Sequence, residues 1–178
     1  MFTVHDLEIA ENTMSQGLSS SDLYAPEKSE LSYKLHCKSN LARGTSCELM
    51  IVDHMRKFGI DCDHMGGSQN RHDITLYTGG KVRRAEVKSS VMGPTNGKYY
   101  FVKIKPELFD ILYLAFVTPE NGVIVKTIAK SEFMAWIDLY SPKQKETGYD
   151  VYFRTDMTHA KMQSVLWDPE SQRMELTI

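Results

Sequence analysis

DITLYTGGKVRRAEVKSS, residues 73–90, decides the fold. On both sides of Gly79–Gly80 apolar and polar residues alternate with a period of two, as in strands that bury one face. Two glycines between such runs suit the centre of a tight hairpin turn, where both residues take positive φ. Thr78 then faces Lys81, Ile74 faces Ala85, and Asp73 lands opposite Glu86. Directly opposed residues share a sheet face. Ile74, Leu76, Ala85 and Val87 therefore take the face that can pack on helices, and Asp73, Thr75, Tyr77, Val82, Arg84, Glu86 and Lys88 take the other.

Two carboxylates opposite each other, with Cβ atoms about 5 Å apart, repel and weaken a sheet. A cation removes the conflict. A hard divalent ion such as Mg²⁺ favours one or two carboxylates, with water and substrate phosphate oxygens completing its shell. The plainer alternative pairs Glu86 with Lys88 or Arg84 on a solvated face, and a lone D…ExK pattern does arise by chance. The register, the basic flank and an upstream helix together favour the open metal site.

That helix is read from GTSCELMIVDHMRKFG, residues 44–59, where Cys47, Ile51, His54, Met55 and Phe58 fall on one face and Gly59 suits the stop. Thr45 as N-cap and Glu48 three residues later would form a capping box, which alone accounts for a glutamate there. A shorter helix is expected over 27–39. Residues 60–78 read as a short strand, a Gly-rich bend and a second strand. Residues 98–110 admit strand or helix, with a break at Pro106. ILYLAFV, 111–117, is apolar enough for a strand buried on both faces, and GVIVKTIA, 122–129, follows it after a turn. The remainder predicts a helix over 131–140 capped by Ser131, a strand at 149–155, a helix near 157–167 and a strand at 173–178. Trp136 and Trp167 fall in those helices as packing residues.

The 178 residues suit one domain, and 42% hydrophobic with 25% charged residues is ordinary for a globular protein. TMSQGLSSSD, 13–22, marks residues 1–26 as an arm, with one domain over 27–178, its core at about 42–128 and a C-terminal extension over 129–178. No apolar run approaches the ~18 residues of a membrane span, and MFTVHDLEIAEN lacks the basic and apolar regions of a signal peptide. Three cysteines without a CxxC pair make a reduced, cytoplasmic setting the expectation, phage-encoded proteins included. A zinc site from His36, Cys37, Cys62 and His64 finds no support in their spacing. Net charge is −2, yet residues 81–105 carry seven Lys or Arg against the single acid Glu86. Such a stripe can grip phosphates, and Tyr99, Tyr100 and Phe101 lie within it.

In the order Glu48, Asp73, Glu86, Lys88 these residues resemble the PD-(D/E)xK nuclease superfamily, whose restriction-endonuclease-like core serves restriction enzymes and Holliday junction resolvases. The resemblance spans about residues 42–128; His72 stands where the pattern has proline, and no exonuclease-type glutamine motif follows. It implies an α/β fold with a mixed central sheet flanked by helices, and Mg²⁺ (Mn²⁺ substituting) held by Asp73, Glu86, the Val87 carbonyl and Glu48. Lys88 would act on the water or the phosphate, and Ser68, in the bend GGSQNR, would sit near the scissile phosphate as in resolvases. Arg84, Ser89, Ser90, Lys98, Lys103 and Lys105 are the candidate DNA contacts. The expected activity is sequence-directed cleavage of duplex DNA by a homodimer, with no membrane and no small-molecule cofactor. A junction resolvase and a silent DNA-binding module are the alternatives, and phosphate chemistry alone leaves RNA open.

Overall fold

A computed structural model describes residues 23–67 and 71–154. Two helices lead, α1 (Glu30–His36) and α2 (Asn40–Lys57). Strands β1 (Asp61–His64), β2 (Ile74–Thr78), β3 (Lys81–Val91) and β4 (Lys98–Ile104) follow, then a 3₁₀ turn at Pro106–Leu108. The described chain ends with β5 (Ile111–Thr118), β6 (Gly122–Ala129), α3 (Lys130–Tyr140), β7 (Lys143–Lys145) and β8 (Gly148–Arg154). The main sheet has the order β1-β2-β3-β5-β6, and a smaller one the order β4-β8-β7. Among the described strands only β3 and β5 pair in parallel, so the main sheet is mixed, as expected.

The hairpin has the register read from its sequence, Thr78 opposite Lys81 through Ile74 opposite Ala85. Gly79 and Gly80 turn at φ 58° and 70°, which a Cβ would strain. β5 is buried along Ile111–Val117, and its two faces feed two cores. Ile111, Tyr113, Ala115 and Val117 join Ile74, Leu76, Ala85 and Val87 beneath α1 and α2. Leu112, Leu114 and Phe116 join the small sheet and α3 in the second core, where Trp136 is also buried.

Several boundaries differ from expectation, each for a local reason. α2 begins at Asn40 because Ser39, not Thr45, is its N-cap, its Oγ accepting the Ala42 N–H. No capping box forms at Glu48, which sits in mid-helix. The helix does stop at Gly59 (φ 74°): the Ile60 N–H reaches the Met55 carbonyl and the Gly59 N–H the Arg56 carbonyl. Val52 takes the core place expected of Phe58, which is 71% exposed against His54. α3 is capped at Ala129, whose N–H donates to the Glu132 carboxylate, rather than at Ser131. Tyr24, assigned to the arm, is fully buried; its hydroxyl donates to the Val117 carbonyl and accepts the Met92 N–H, so an arm can end no later than residue 23. Ser68, Trp167, and the helix and strand expected after residue 156 lie outside the described residues. Among the described residues no helix is long and apolar enough to cross a membrane.

Candidate active site

β2 begins at Ile74, opposite Ala85, while β3 runs on to Val91 with β5 alone, among the described strands, paired beside it. That leaves an open edge along the second half of β3. Asp73 stands at its mouth: its N–H donates to the Ala85 carbonyl at 3.0 Å, and its Oδ2 accepts the Val87 N–H at 2.7 Å. A strand residue turns its N–H and C=O the same way, so the Val87 carbonyl faces this edge as well. His72 bonds the Thr75 hydroxyl through Nε2 at 2.9 Å, fastening the bend where the resembled pattern places proline.

Glu86 and Lys88 lie on one face of β3, beside Leu112 and Leu114 of β5 and at the margin of the second core. The Lys88 ammonium donates to Glu86 Oε1, and their side chains are 23% and 10% exposed. Glu48 enters from α2, with Oε2 at 2.8 Å from His64 Nε2. Burial raises the Glu86 carboxyl above its ordinary range; Lys88 opposes this, while Asp73 and Glu48 add to it. Burial likewise raises Glu48, against the His64 hydrogen bond and with Asp73 adding. Three acids and one lysine thus feel one another in a half-buried cluster. Lys88 offsets only part of the negative charge.

His64 is the site residue that sequence reasoning did not assign here. The imagined zinc grouping does not converge: the Cys62 thiol bonds the Val52 carbonyl in the core, Cys37 is exposed, and His36 stacks on Tyr24. Among the described residues no three His, Cys, Asp or Glu side chains stand close enough to enclose a metal ion. An open Mg²⁺ site asks for less. Asp73 and Glu86 supply two hard, repelling carboxylates with a carbonyl on the same edge, and this donor set fits.

The DNA-contact candidates divide. Arg84 is committed to Asp110, at 3.2 Å to Oδ1, and to the Glu107 carbonyl. Ser90 is buried and accepts the Tyr100 N–H at 2.8 Å, while the Ser89 hydroxyl sits against the Cys47 thiol. Lys98 lies over the Tyr152 ring, Lys103 is exposed, and Lys105 precedes the 3₁₀ turn half-buried. The hydrogen bonds from Arg84 hold the Asp110 carboxyl below its ordinary value. A depressed folded value stabilises above the unfolded one, 3.8, and is lost as pH falls below it. Both side chains are about two-fifths exposed, so Asp110→Asn should cost less than about 1 kcal/mol at pH 7. Urea midpoints should converge with wild type as pH falls below 3.8; a gap that widens in acid would refute the pairing.

The architecture is an α/β core, a mixed sheet with helices packed on it. It is shared with the solved structure of a bacterial homing endonuclease, with a TM-score of 0.51 and 15% identity, covering 75% of this chain and 86% of that one. At that identity the likeness is one of fold. No protein-family model and no curated protein matches the chain.

Proposed function

We propose that this chain is a metal-dependent DNA endonuclease of the PD-(D/E)xK type, cutting duplex DNA as a homodimer. The observation that carries the reading is the gathering of Glu48, Asp73, Glu86 and Lys88 around the open edge of β3. A fold held in common with a homing endonuclease supports it. Asp73, Glu86 and the Val87 carbonyl would hold Mg²⁺ or Mn²⁺, with Glu48, bonded to His64, reaching it from the helix side through water. Bound there, the metal acidifies a water and polarises the scissile phosphate. Lys88 is a compact cation placed to donate to a phosphate oxygen as charge develops. His64 holds the Glu48 carboxylate in place, and α2 closes the site from behind. Severing both strands calls for two copies of the chain.

The test is a Mg²⁺ cleavage assay on linear phage or genomic DNA, supercoiled plasmid and a four-way junction. Discrete fragments from linear duplex support the reading. Cuts confined to the junction would shift it to a resolvase, and binding without cutting to a silent module. Metal binding has its own readout. At ten times its dissociation constant Mg²⁺ should stabilise the protein by about 1.4 kcal/mol, which is about 3–6 °C in Tm for a chain of this size. Glu86→Gln should lose most of that shift; an equal shift in Glu86→Gln would place the ion elsewhere.

A further inference from the structure

We propose that the outer face of the small sheet β4-β8-β7 is a DNA-contact surface continuous with the site; this rests on the endonuclease reading above. Its inner face is accounted for, since Tyr99, Phe101, Ile104, Val151 and Phe153 are buried in the second core. The outer face has no cover among the described residues. Tyr100 pairs directly with Tyr152, their rings 6.0 Å apart, and each side chain is about half exposed. The Lys98 ammonium stands 5.0 Å from the centre of the Tyr152 ring. Lys143 joins the same face from β7, opposite Asp150. Asp150 is itself paired with Lys145.

The backbone adds one more cation. The pairing of β4 with β8 shifts register between Phe101 and Ile104, both buried, while Val102 and Lys103 between them are both exposed. Strict alternation would turn Lys103 inward. The bulge turns it out, and does so with Lys103 at φ 57°, a left-handed conformation that disfavours any residue with a Cβ. Strain held at an exposed lysine beside aromatic side chains is what a binding face retains and a purely structural edge does not need.

Charge and position name the occupant. No acidic side chain among the described residues forms an ion pair with Lys98, Lys103 or Lys143; the exposed acids nearest along the chain are Glu107, beyond Lys103 in the 3₁₀ turn, and Glu146 in the β7–β8 turn. Lysines and tyrosine hydroxyls side by side match phosphate oxygens and sugars, the groups that most protein–DNA hydrogen bonds reach. The face also adjoins the site. The Tyr100 N–H donates to Ser90 Oγ, and Ser90 lies two residues beyond Lys88 on the same face of β3. DNA with a phosphate at Lys88 would run its flanking duplex across β4, β8 and β7.

Binding to a mixed-sequence duplex of about 30 base pairs, in Ca²⁺ instead of Mg²⁺ and over a salt series, tests this. Lys103→Gly and Lys143→Ala should each reduce the slope of log K against log salt by about 0.9. Lys57→Ala, on the helix side of the main sheet and paired with Asp53, should leave it unchanged. Lys103→Gly should also keep or raise Tm, because glycine accepts the positive φ, so its weakened binding could not be blamed on unfolding. Wild-type slopes in both variants would overturn the surface while leaving the endonuclease reading intact. No salt-dependent binding by wild type would sink that reading itself. Should Tyr100→Ala with Tyr152→Ala convert a dimer to monomer and leave the DNA slope intact, the face belongs to a second copy and the proposal is wrong.

Discussion

Lys88→Ala is expected to cut the rate of DNA cleavage about 10³-fold or more under single turnover while the protein still binds DNA. One preorganised donor at a developing charge is worth about 10²–10³ in other enzymes, and Lys88 has a second task. Its ammonium is bonded to Glu86 in a cluster that also holds Asp73 and Glu48. Removing it leaves a buried carboxylate with two acidic neighbours and no cation, so Lys88→Ala should also lower stability, by up to about 3 kcal/mol. The two effects can be separated. In the double variant Lys88→Ala, Glu86→Gln the carboxylate that Lys88 neutralised is gone as well, and the urea midpoint should recover toward wild type. Cleavage should stay absent. Recovery of both stability and cleavage would mean that Lys88 only holds the strand together; cleavage by Lys88→Ala at the wild-type rate would remove the site altogether.

The hairpin was legible because its signals are local. A period of two and a pair of glycines determine which residues face one another, and the pairing from Thr78–Lys81 to Ile74–Ala85 follows without knowledge of any other element; Asp73, expected opposite Glu86, lies just beyond that ladder and bonds Ala85 and Val87. ILYLAFV was legible for the same reason: an uninterrupted apolar run has little choice but two buried faces. The misreadings fall where a residue's meaning depends on distant partners. Gly44 looks like a boundary, yet Ser39 caps the helix earlier and the interior glycine is tolerated. Residues 98–104 read as strand or helix because the bulge at Val102–Lys103 breaks the alternation that would have identified a strand. KQK, residues 143–145, has no apolar residue to alternate and becomes a strand only because β8 pairs with it.

The site shows the same division. Asp73, Glu86 and Lys88 share one hairpin and could be placed from its register. Glu48 had a sufficient explanation as a capping residue, which only the true start of α2 removes. His64 meets Glu48 across 16 residues, through the packing of α2 on β1, and no spacing rule announces that. Arg84 illustrates the reverse. Its place beside the acids suggested a phosphate contact, while its pairing with Asp110, 26 residues on, is a tie the hairpin alone does not announce.

Phe116→Ala should be among the most destabilising single substitutions, at about 3–5 kcal/mol. Phe116 is fully buried on the face of β5 turned toward the small sheet, and its ring meets Tyr99 at 5.0 Å, Phe101 at 4.9 Å and Phe153 at 5.9 Å. Those three rings come from β4 and β8, so Phe116 is the hub through which the small sheet is fastened to the main one. Main-chain bonding cannot replace it, because β4 has no ladder with β3 and meets it through the Ser90–Tyr100 bond. The loss should therefore be uneven. In native-state hydrogen exchange, amides of β4 and β8 should lose more protection than those of α2, whose buried residues Cys47, Ile51 and Met55 pack in the other core. Urea unfolding gives the total and exchange gives its distribution. An even loss would show that the two cores unfold as one unit, and a cost below about 1 kcal/mol would show that the layer closes over the cavity without its central ring.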